Sequence, residues 1–193
     1  MTVNRICQIG DPVLRVSTTD VTREQLETRD VQALVDDLID SMRSVQGAGI
    51  AAPQIGSTLS ICVIGVDGNE RYPYKPKIPL TVLVNPKLIV LDDETYPNNE
   101  GCLSVPLRGD LPRFMNIEVA SMDRFGVESV VVYRGLTAGT VQHEVDHLAG
   151  VLIVDRIVDS RSMSTWENFK VHDLARFVER IQPAIDATEP KVL

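Results

Sequence analysis

The segment from Gln142 to Gly150 contains the side chains with the clearest chemical potential. It holds two of the three histidines of the chain, His143 and His147, four positions apart. On a helix this spacing places both imidazoles on one face, one turn apart. Glu144 directly follows the first histidine, a position that suits a general base better than a third ligand. The pattern His-Glu-x-x-His therefore predicts two metal ligands and a catalytic carboxylate, against the alternative of a surface helix with solvated histidines.

A third metal ligand must come from elsewhere in the chain. A metzincin-like pattern would need histidine at position 153, which is Ile153, so that pattern is excluded. A thermolysin-like site would use Glu167, but the strand-like run Val151–Val154 makes its approach awkward. Cys102, in Glu100–Pro106, would complete a Cys-His-His set with a fourth position open, and it is the favoured candidate. A thiolate with two imidazoles suits Fe²⁺, Zn²⁺ or Ni²⁺ rather than Mg²⁺ or Ca²⁺.

A further segment, Gly47–Gly56, is rich in glycine and alanine and has one polar side chain, Gln54. Small residues allow another backbone to approach closely. On this segment alone, a helix end followed by a loop packed under a sheet is the favoured interpretation. The alternative is a substrate-binding edge at which the Gln54 amide donates to a carbonyl or an oxyanion.

Composition limits the class of protein. With 193 residues, 44% hydrophobic and 24% charged, the chain fits one ordinary soluble globular domain covering 1–193. A net charge of −8 argues against a surface that binds nucleic acid directly. The first ten residues contain no targeting pattern, and no apolar run is long enough for a membrane span. Three cysteines are few and odd in number, which argues against a disulfide framework and favours a reducing compartment, here the cytoplasm.

Hydrophobic periodicity indicates the elements that must position these residues. A first helix is predicted to start after Thr22 or Thr28 and to run to Gln46, and strands follow at Leu59–Val66 and Thr81–Leu91. Met115–Met122 and Val127–Tyr133 form a predicted hairpin, and the motif helix starts at Leu136. A short strand at Val151–Ile157 and a last helix at Ser164–Ile181 complete the prediction. Ser164 and Glu167 would form its capping box, and the tail 186–193 would be flexible. The predicted class is α+β, with antiparallel and mixed sheets around a central metal-binding helix and a helix near each terminus.

Three segments together resemble the signature motifs of the peptide deformylases. They are Gly47–Gln54, Glu100–Ser104 and Gln142–His147, and the likeness extends from about Ile9 to Arg156. The resemblance implies the following roles: metal ligands Cys102, His143 and His147; general acid and base Glu144; oxyanion donors Gln54 and the backbone N–H of Leu103; peptide-lining positions Gly49 and Gly101; supporting groups Glu100 and Gln142. Gly139 stands where many relatives carry a larger residue, which would widen the methionine pocket.

The resemblance further implies a reaction and its partners. A metal-dependent hydrolase of this family removes the N-formyl group from formyl-methionyl nascent peptides and releases formate, typically with Fe²⁺, for which Ni²⁺ or Zn²⁺ can substitute. A transient ribosome contact is a further expectation, without direct nucleic-acid or membrane binding. Two alternatives remain open at this point: a His-Glu-x-x-His metallopeptidase with Glu167 as third ligand, and a non-catalytic, ribosome-associated metal-binding module.

Overall fold

The computed structural model describes residues 5–68, 71–188 and 191–192. Its helices are α1 (Arg23–Leu26), α2 (Arg29–Ser44), α3 (Gly135–Leu148), α4 (Ile153–Arg156), α5 (Trp166–His172), α6 (Leu174–Arg180) and α7 (Gln182–Asp186). Its strands are β1 (Gly49–Ala51), β2 (Ile61–Val66), β3 (Ile78–Val90), β4 (Thr95–Cys102), β5 (Val105–Phe114), β6 (Asn116–Met122), β7 (Glu128–Arg134) and β8 (Lys191–Val192). Short 3-10 turns occur at Pro12–Arg15, Ala52–Ile55 and Ser160–Ser162.

A six-stranded sheet in the order β1-β2-β3-β6-β7-β8 forms the centre of the fold. Its ladders are antiparallel, and β6 and β7 form the hairpin that the sequence predicts. Alternate residues of β2 point to opposite faces. Cys62 and Ile64 pack in the cluster that includes α3, whereas Ile61 and Val63 pack in the cluster that includes α2. The α+β class is therefore confirmed, with one helix layer on each face of the sheet.

Both threonines proposed as the start of the first helix are N-caps. The Thr22 hydroxyl accepts a hydrogen bond from the Gln25 N–H and begins the single turn of α1. The Thr28 hydroxyl accepts from the Val31 N–H and begins α2, which ends at Ser44. Since each cap serves N–H groups that lack a partner within the helix, two caps six residues apart divide the predicted helix into two.

A second sheet, formed by β4 and β5, was not predicted from the sequence. Its ladder runs from Thr95 opposite Phe114 to Cys102 opposite Val105. Five polar or charged residues of this hairpin are buried beside its apolar ones and interrupt the apolar alternation: Asn98, Asn99, Glu100, Arg108 and Arg113. Strand signals depend on alternating apolar residues, so this hairpin had the appearance of a loop.

The C-terminal third differs from the prediction in three places. Val151–Ile157 contains the helical turn α4, whose Asp155 carboxylate accepts from the Leu152 N–H, because a short apolar run cannot distinguish strand from helix by period. The last helix is divided into α5, α6 and α7. Its N-cap is Thr165, which accepts from the Asn168 N–H, so the proposed capping box of Ser164 and Glu167 is wrong.

The last helical region has one apolar face towards the core. Phe169, Phe177 and Ile181 are buried in one cluster, against which Trp166 and Leu174 pack. In the described part of the tail, Thr188 is buried, and the backbone of β8 pairs with β7, which differs from the flexible segment predicted. Residues 189, 190 and 193 lie outside the described residues. Among the helices that are described, none combines the length and the apolarity that crossing a bilayer requires.

Candidate active site

Three of the predicted metal ligands meet at one point. One ligand atom each from Cys102, His143 and His147 lies within 4.8 Å of the other two. The sulfur comes from the end of β4 and the two imidazoles from adjacent turns of α3, with ring centroids 5.1 Å apart. Cys102 Sγ is 3.2 Å from His147 Nε2 and accepts a hydrogen bond from the Ser104 N–H at 3.3 Å. A sulfur and two ring nitrogens in this arrangement match the donor set of a Zn²⁺ or Fe²⁺ site.

Glu100 orients the first of these histidines. Its Oε2 lies 2.9 Å from His143 Nδ1, which leaves Nε2 to face the sulfur. The same carboxylate accepts two hydrogen bonds of 2.8 Å from Arg113, whose third nitrogen donates to Asp146 at 2.7 Å. A carboxylate on the outer nitrogen of a histidine fixes both its tautomer and its ring plane. The Glu100–His143 contact is compatible with the supporting role predicted for Glu100, and Arg113 is a partner that the sequence did not reveal.

Gln142 connects the motif helix to the second sheet. Its Nε2 donates to the Phe114 carbonyl at 2.8 Å, and its Oε1 accepts from the Phe114 N–H at 3.1 Å. The Gln142 amide thus pairs with the backbone of the last residue of β5, as a neighbouring strand would. It positions α3 against the hairpin that carries Cys102, and it does not itself reach the three ligand atoms.

Glu144 lies in a buried position beside the edge strand β1. A Cβ built on Gly49 would lie 2.3 Å from Glu144 Oε1, so any side chain at position 49 would displace the carboxylate. Within the described residues, Glu144 Oε2 is buried and has no hydrogen-bond partner. A carboxylate oxygen that is buried and unsatisfied is costly unless a ligand or solvent completes its interactions.

Gln54 and the turn that follows Cys102 lie on the other side of the sulfur. The Gln54 Oε1 accepts from the Ala51 N–H at 2.9 Å, and its Nε2 donates to Ser104 Oγ at 3.1 Å and lies 3.7 Å from Cys102 Sγ. Leu103 is the first residue of the two-residue turn between β4 and β5. Gly101 precedes the sulfur, and a Cβ there would make only ordinary contact with Arg108. Gln54 therefore lies at the edge of the site, as the functional interpretation of Gly47–Gly56 requires.

Burial and charge shift the pKa values of these groups in opposite directions. Burial raises the pKa of Glu144 to about 7, although the positive charges of His143 and Lys75 act to lower it. Burial alone would raise the pKa of Glu100, but the Arg113 guanidinium holds it well below its usual range. Burial would lower the pKa of His143, but hydrogen bonds with Cys102 and Glu100 raise it well above its usual range. Burial and the nearby His143 charge lower the pKa of His147.

The surroundings of the site change one expectation and add two residues, Tyr96 and Lys75, that the sequence did not indicate. A Cβ at Gly139 would lie 2.1 Å from the Tyr96 hydroxyl, so the space of a larger residue is already filled by Tyr96 and the pocket is not widened there. Lys75 also reaches the pocket, from the loop between β2 and β3. Neither Tyr96 nor Lys75 was identified from the sequence, since nothing in their local pattern marks an inward direction.

The alternative third ligand lies apart from this group. Glu167 is exposed on α5, and the cluster of candidate ligands found in the described residues consists of Cys102, His143 and His147 alone. His172, the third histidine, is exposed at the end of α5.

Comparison with known proteins agrees with this geometry. Residues 3–163 match the family model described as polypeptide deformylase. The chain is 40% identical to a peptide deformylase of Leptospira biflexa over 83% of its length and 91% of the relative's, and 42% identical to peptide deformylase 1 of Bordetella pertussis over 81% and 89%.

Solved structures of the same family have the same fold. The class I type b peptide deformylase of Acinetobacter baumannii with Met-Ala-Ser bound has a TM-score of 0.78 at 34% identity, covering 81% of this chain and 99% of that one. The enzyme of Thermotoga maritima has a TM-score of 0.72 at 32% identity, covering 82% and 100%. The match of motifs, sequence and fold shows that this chain belongs to the polypeptide deformylase family.

Proposed function

We propose that this protein is a metal-dependent hydrolase that removes the N-formyl group from formyl-methionyl nascent peptides and releases formate. Family membership supports the reaction, and a relative of known structure holds the peptide Met-Ala-Ser. The proposal treats 1–193 as one metallohydrolase domain. It includes a cytoplasmic location, supported by the three free cysteines, and a transient contact with the ribosome, where formylated chains emerge.

Cys102, His143 and His147 would hold the metal ion. The fit is supported by a soft sulfur and two imidazoles in reach of one centre, and by the Glu100 contact that aims His143. Fe²⁺ is the proposed ion, with Ni²⁺ or Zn²⁺ able to substitute, since all three accept thiolate and imidazole ligands. When bound, the ion would act as a Lewis acid and lower the pKa of a water molecule towards about 7.

The side chains around the ligands would carry the proton and the developing charge. Glu144 would take the proton from the attacking water and deliver it to the nitrogen of the departing peptide, a role worth about 10²–10⁴-fold in rate. Its burial and raised pKa place it near neutrality, where accepting and giving back a proton are both feasible. Gln54 Nε2 and the Leu103 N–H would donate to the oxygen of the tetrahedral intermediate, where losing one donor costs about 3–4 kcal/mol.

The substrate backbone would lie along β1. This strand is the terminal strand of the sheet order, so its outer edge can pair with an extended peptide. Gly49 and Gly101 would line that path, and Gly49 also leaves the space that Glu144 occupies. Backbone pairing with β1 would set the direction of the peptide and the position of its reacting carbon. Such pairing does not depend on the peptide's side chains, so many peptide sequences could bind.

The proposal depends on the convergence of Cys102, His143 and His147 beside the buried Glu144, whose Oε2 has no hydrogen-bond partner among the described residues. We would prepare the protein with Fe²⁺ under anaerobic conditions, measure its metal content, and assay formate release from formyl-Met-Ala-Ser. The expected result is one equivalent of formate per peptide, with an acetyl-Met-Ala-Ser control unchanged. A protein with full metal occupancy that releases no formate would contradict the proposal and favour a binding role.

A further inference from the structure

The cavity beside the reacting groups is lined partly by polar side chains. It has a volume of about 50 Å³, and its wall includes His143, Glu144, Lys75, Asn98 and Thr140. The formyl nitrogen of a peptide is bonded to the Cα that carries the first side chain. A peptide with its formyl group at His143 and Glu144 would therefore place its first side chain within a few bonds of the same cavity. The argument rests on the proposed function.

Lys75 is held in this wall by two contacts. Its Nζ donates to Thr140 Oγ1 at 2.8 Å and lies 5.2 Å from the centroid of the Tyr72 ring. Thr140 in turn donates to the Leu136 carbonyl, so its hydroxyl accepts from Lys75 without losing its own bond. An ammonium has three N–H donors, and in the described part of the chain Thr140 is its one hydrogen-bond acceptor. At least one donor is available to a ligand in the cavity.

The loop that carries Lys75 is fastened by the last helices. Tyr72 packs edge-on against Trp166 with ring centroids 5.6 Å apart, and Tyr74 packs against Phe177 at 5.4 Å. Both partners belong to α5 and α6, beyond the residues 3–163 that match the family model. Aromatic residues outside the matched region therefore contact the loop that carries Lys75.

The surroundings of the cavity contain further polar groups. Asn98 Nδ2 donates to Glu100 Oε1 at 2.9 Å. Arg108 Nη1, in the cavity wall, and the Tyr96 hydroxyl, beside Gly139, are buried and have no hydrogen-bond partner in the described residues. Burial lowers the pKa of Lys75 to about 8, while the Glu100 and Glu144 carboxylates act to raise it, so the ammonium remains the main form at neutral pH. A buried ammonium gains most from a ligand that brings an acceptor.

We propose that Lys75 is a specificity-determining residue that donates a hydrogen bond to an acceptor at the end of the first side chain of the formyl peptide. A thioether sulfur is a weak acceptor, a sulfoxide oxygen is a strong one, and a methylene group is none. For side chains of similar length, kcat/KM should then follow the order methionine sulfoxide, methionine, norleucine.

The test compares formyl-X-Ala-Ser peptides in which X is methionine sulfoxide, methionine or norleucine. Wild type, Lys75→Met and the control Lys77→Met are assayed with metal content matched. Lys77 is two residues away on the same loop and pairs at the surface with Asp67. Wild type and Lys77→Met should favour the sulfoxide over norleucine by about tenfold or more, the scale of a hydrogen bond to a charged group. In Lys75→Met the preference should vanish or reverse.

Binding of the product peptides X-Ala-Ser, measured by calorimetry, provides a second readout and should show the same ordering. Equal kcat/KM values for the three formyl peptides in wild type, or a preference that survives in Lys75→Met, would overturn the role of Lys75 while leaving deformylation intact. If a fully metal-loaded wild type released formate from none of the peptides, the proposed function itself would fail, and this inference with it.

Discussion

Gly139 and Tyr96 provide a sharp test of how closely the motif helix is packed. In Gly139→Ala, the new Cβ would lie 2.1 Å from the Tyr96 hydroxyl oxygen and 3.3 Å from Cζ of the ring. Tyr96 is 4% exposed and shares a buried cluster with Leu136 and Phe169, so the ring has no open space to enter. Overpacking of this kind costs about 1–3 kcal/mol of the free energy of unfolding.

Removing the hydroxyl should reverse that cost. The Tyr96 hydroxyl is buried and has no hydrogen-bond partner in the described part of the chain, so Tyr96→Phe should be neutral or stabilising. In the Tyr96→Phe background the nearest remaining atoms are the ring carbon at 3.3 Å and Asn98 Nδ2 at 3.5 Å. Small shifts accommodate these distances, and alanine is favoured over glycine in a helix by about 0.5–1 kcal/mol. The expected coupling energy is therefore about 1.5 kcal/mol or more.

Urea unfolding of wild type, both single variants and the double variant, followed by circular dichroism, measures this coupling. Gly101→Ala serves as a control, because its Cβ would meet its nearest neighbour, Arg108, at an ordinary 3.6 Å. If Gly139→Ala costs the same in both backgrounds, within about 0.5 kcal/mol, the hydroxyl is not what excludes a side chain at position 139. The interpretation of Gly139 as a position filled by Tyr96 would then be wrong.

Three further outcomes are expected. Glu144→Ala should retain the metal but lose about 10²–10⁴-fold in turnover, whereas Glu167→Ala should keep both; loss of metal from Glu144→Ala would count against its role as a base. Cys102→Ala should lose metal by elemental analysis while Cys7→Ala retains it, and a fully loaded Cys102→Ala protein would exclude the sulfur as a ligand. Burial lowers the pKa of Lys75 from 10.5 in the unfolded chain to about 8 in the folded protein, so the unfolded chain holds the proton more tightly. The free energy of unfolding of wild type should therefore increase relative to that of Lys75→Met as the pH rises from 8 to 10.5. The increase should be at most about 3 kcal/mol. Urea unfolding at pH 7 and pH 10 measures this gain, and a constant difference would contradict it.

The grouping of Cys102, His143 and His147 could be predicted from the sequence because it depends on residue type and spacing. His143 and His147 need only a helix to share a face, and the chemistry of a sulfur beside two imidazoles then favours Cys102. The main sheet was also predictable, since β2, β3, β6 and β7 carry dense β-branched and apolar residues. Local pattern predicted these strands, although it assigned the apolar run Val151–Ile157, which contains the helical turn α4, to a strand.

The remaining features depend on polar residues that are buried through tertiary contacts. Arg113 lies in a strand where a charged side chain would ordinarily face solvent, and Lys75 lies in a proline-rich loop. Neither position carries a local signal that its charge turns inward, because the compensating groups, Glu100 for Arg113 and Thr140 for Lys75, are distant in the chain. The β4–β5 hairpin was missed for the same reason.

The buried polar residues explain how the small sheet and α3, which carry the two halves of the site, are held at a fixed separation. Cys102 belongs to the small sheet and the histidines to α3, and apolar packing alone would allow these units to slide. Arg113 contacts Glu100 through two parallel hydrogen bonds and Asp146 through a third, while Glu100 also holds His143. Bidentate contacts are directional, so one guanidinium sets both the spacing of strand and helix and the plane of the first imidazole. Since a buried ion pair adds little net stability, the advantage of this network lies in the fixed geometry of the three proposed metal ligands.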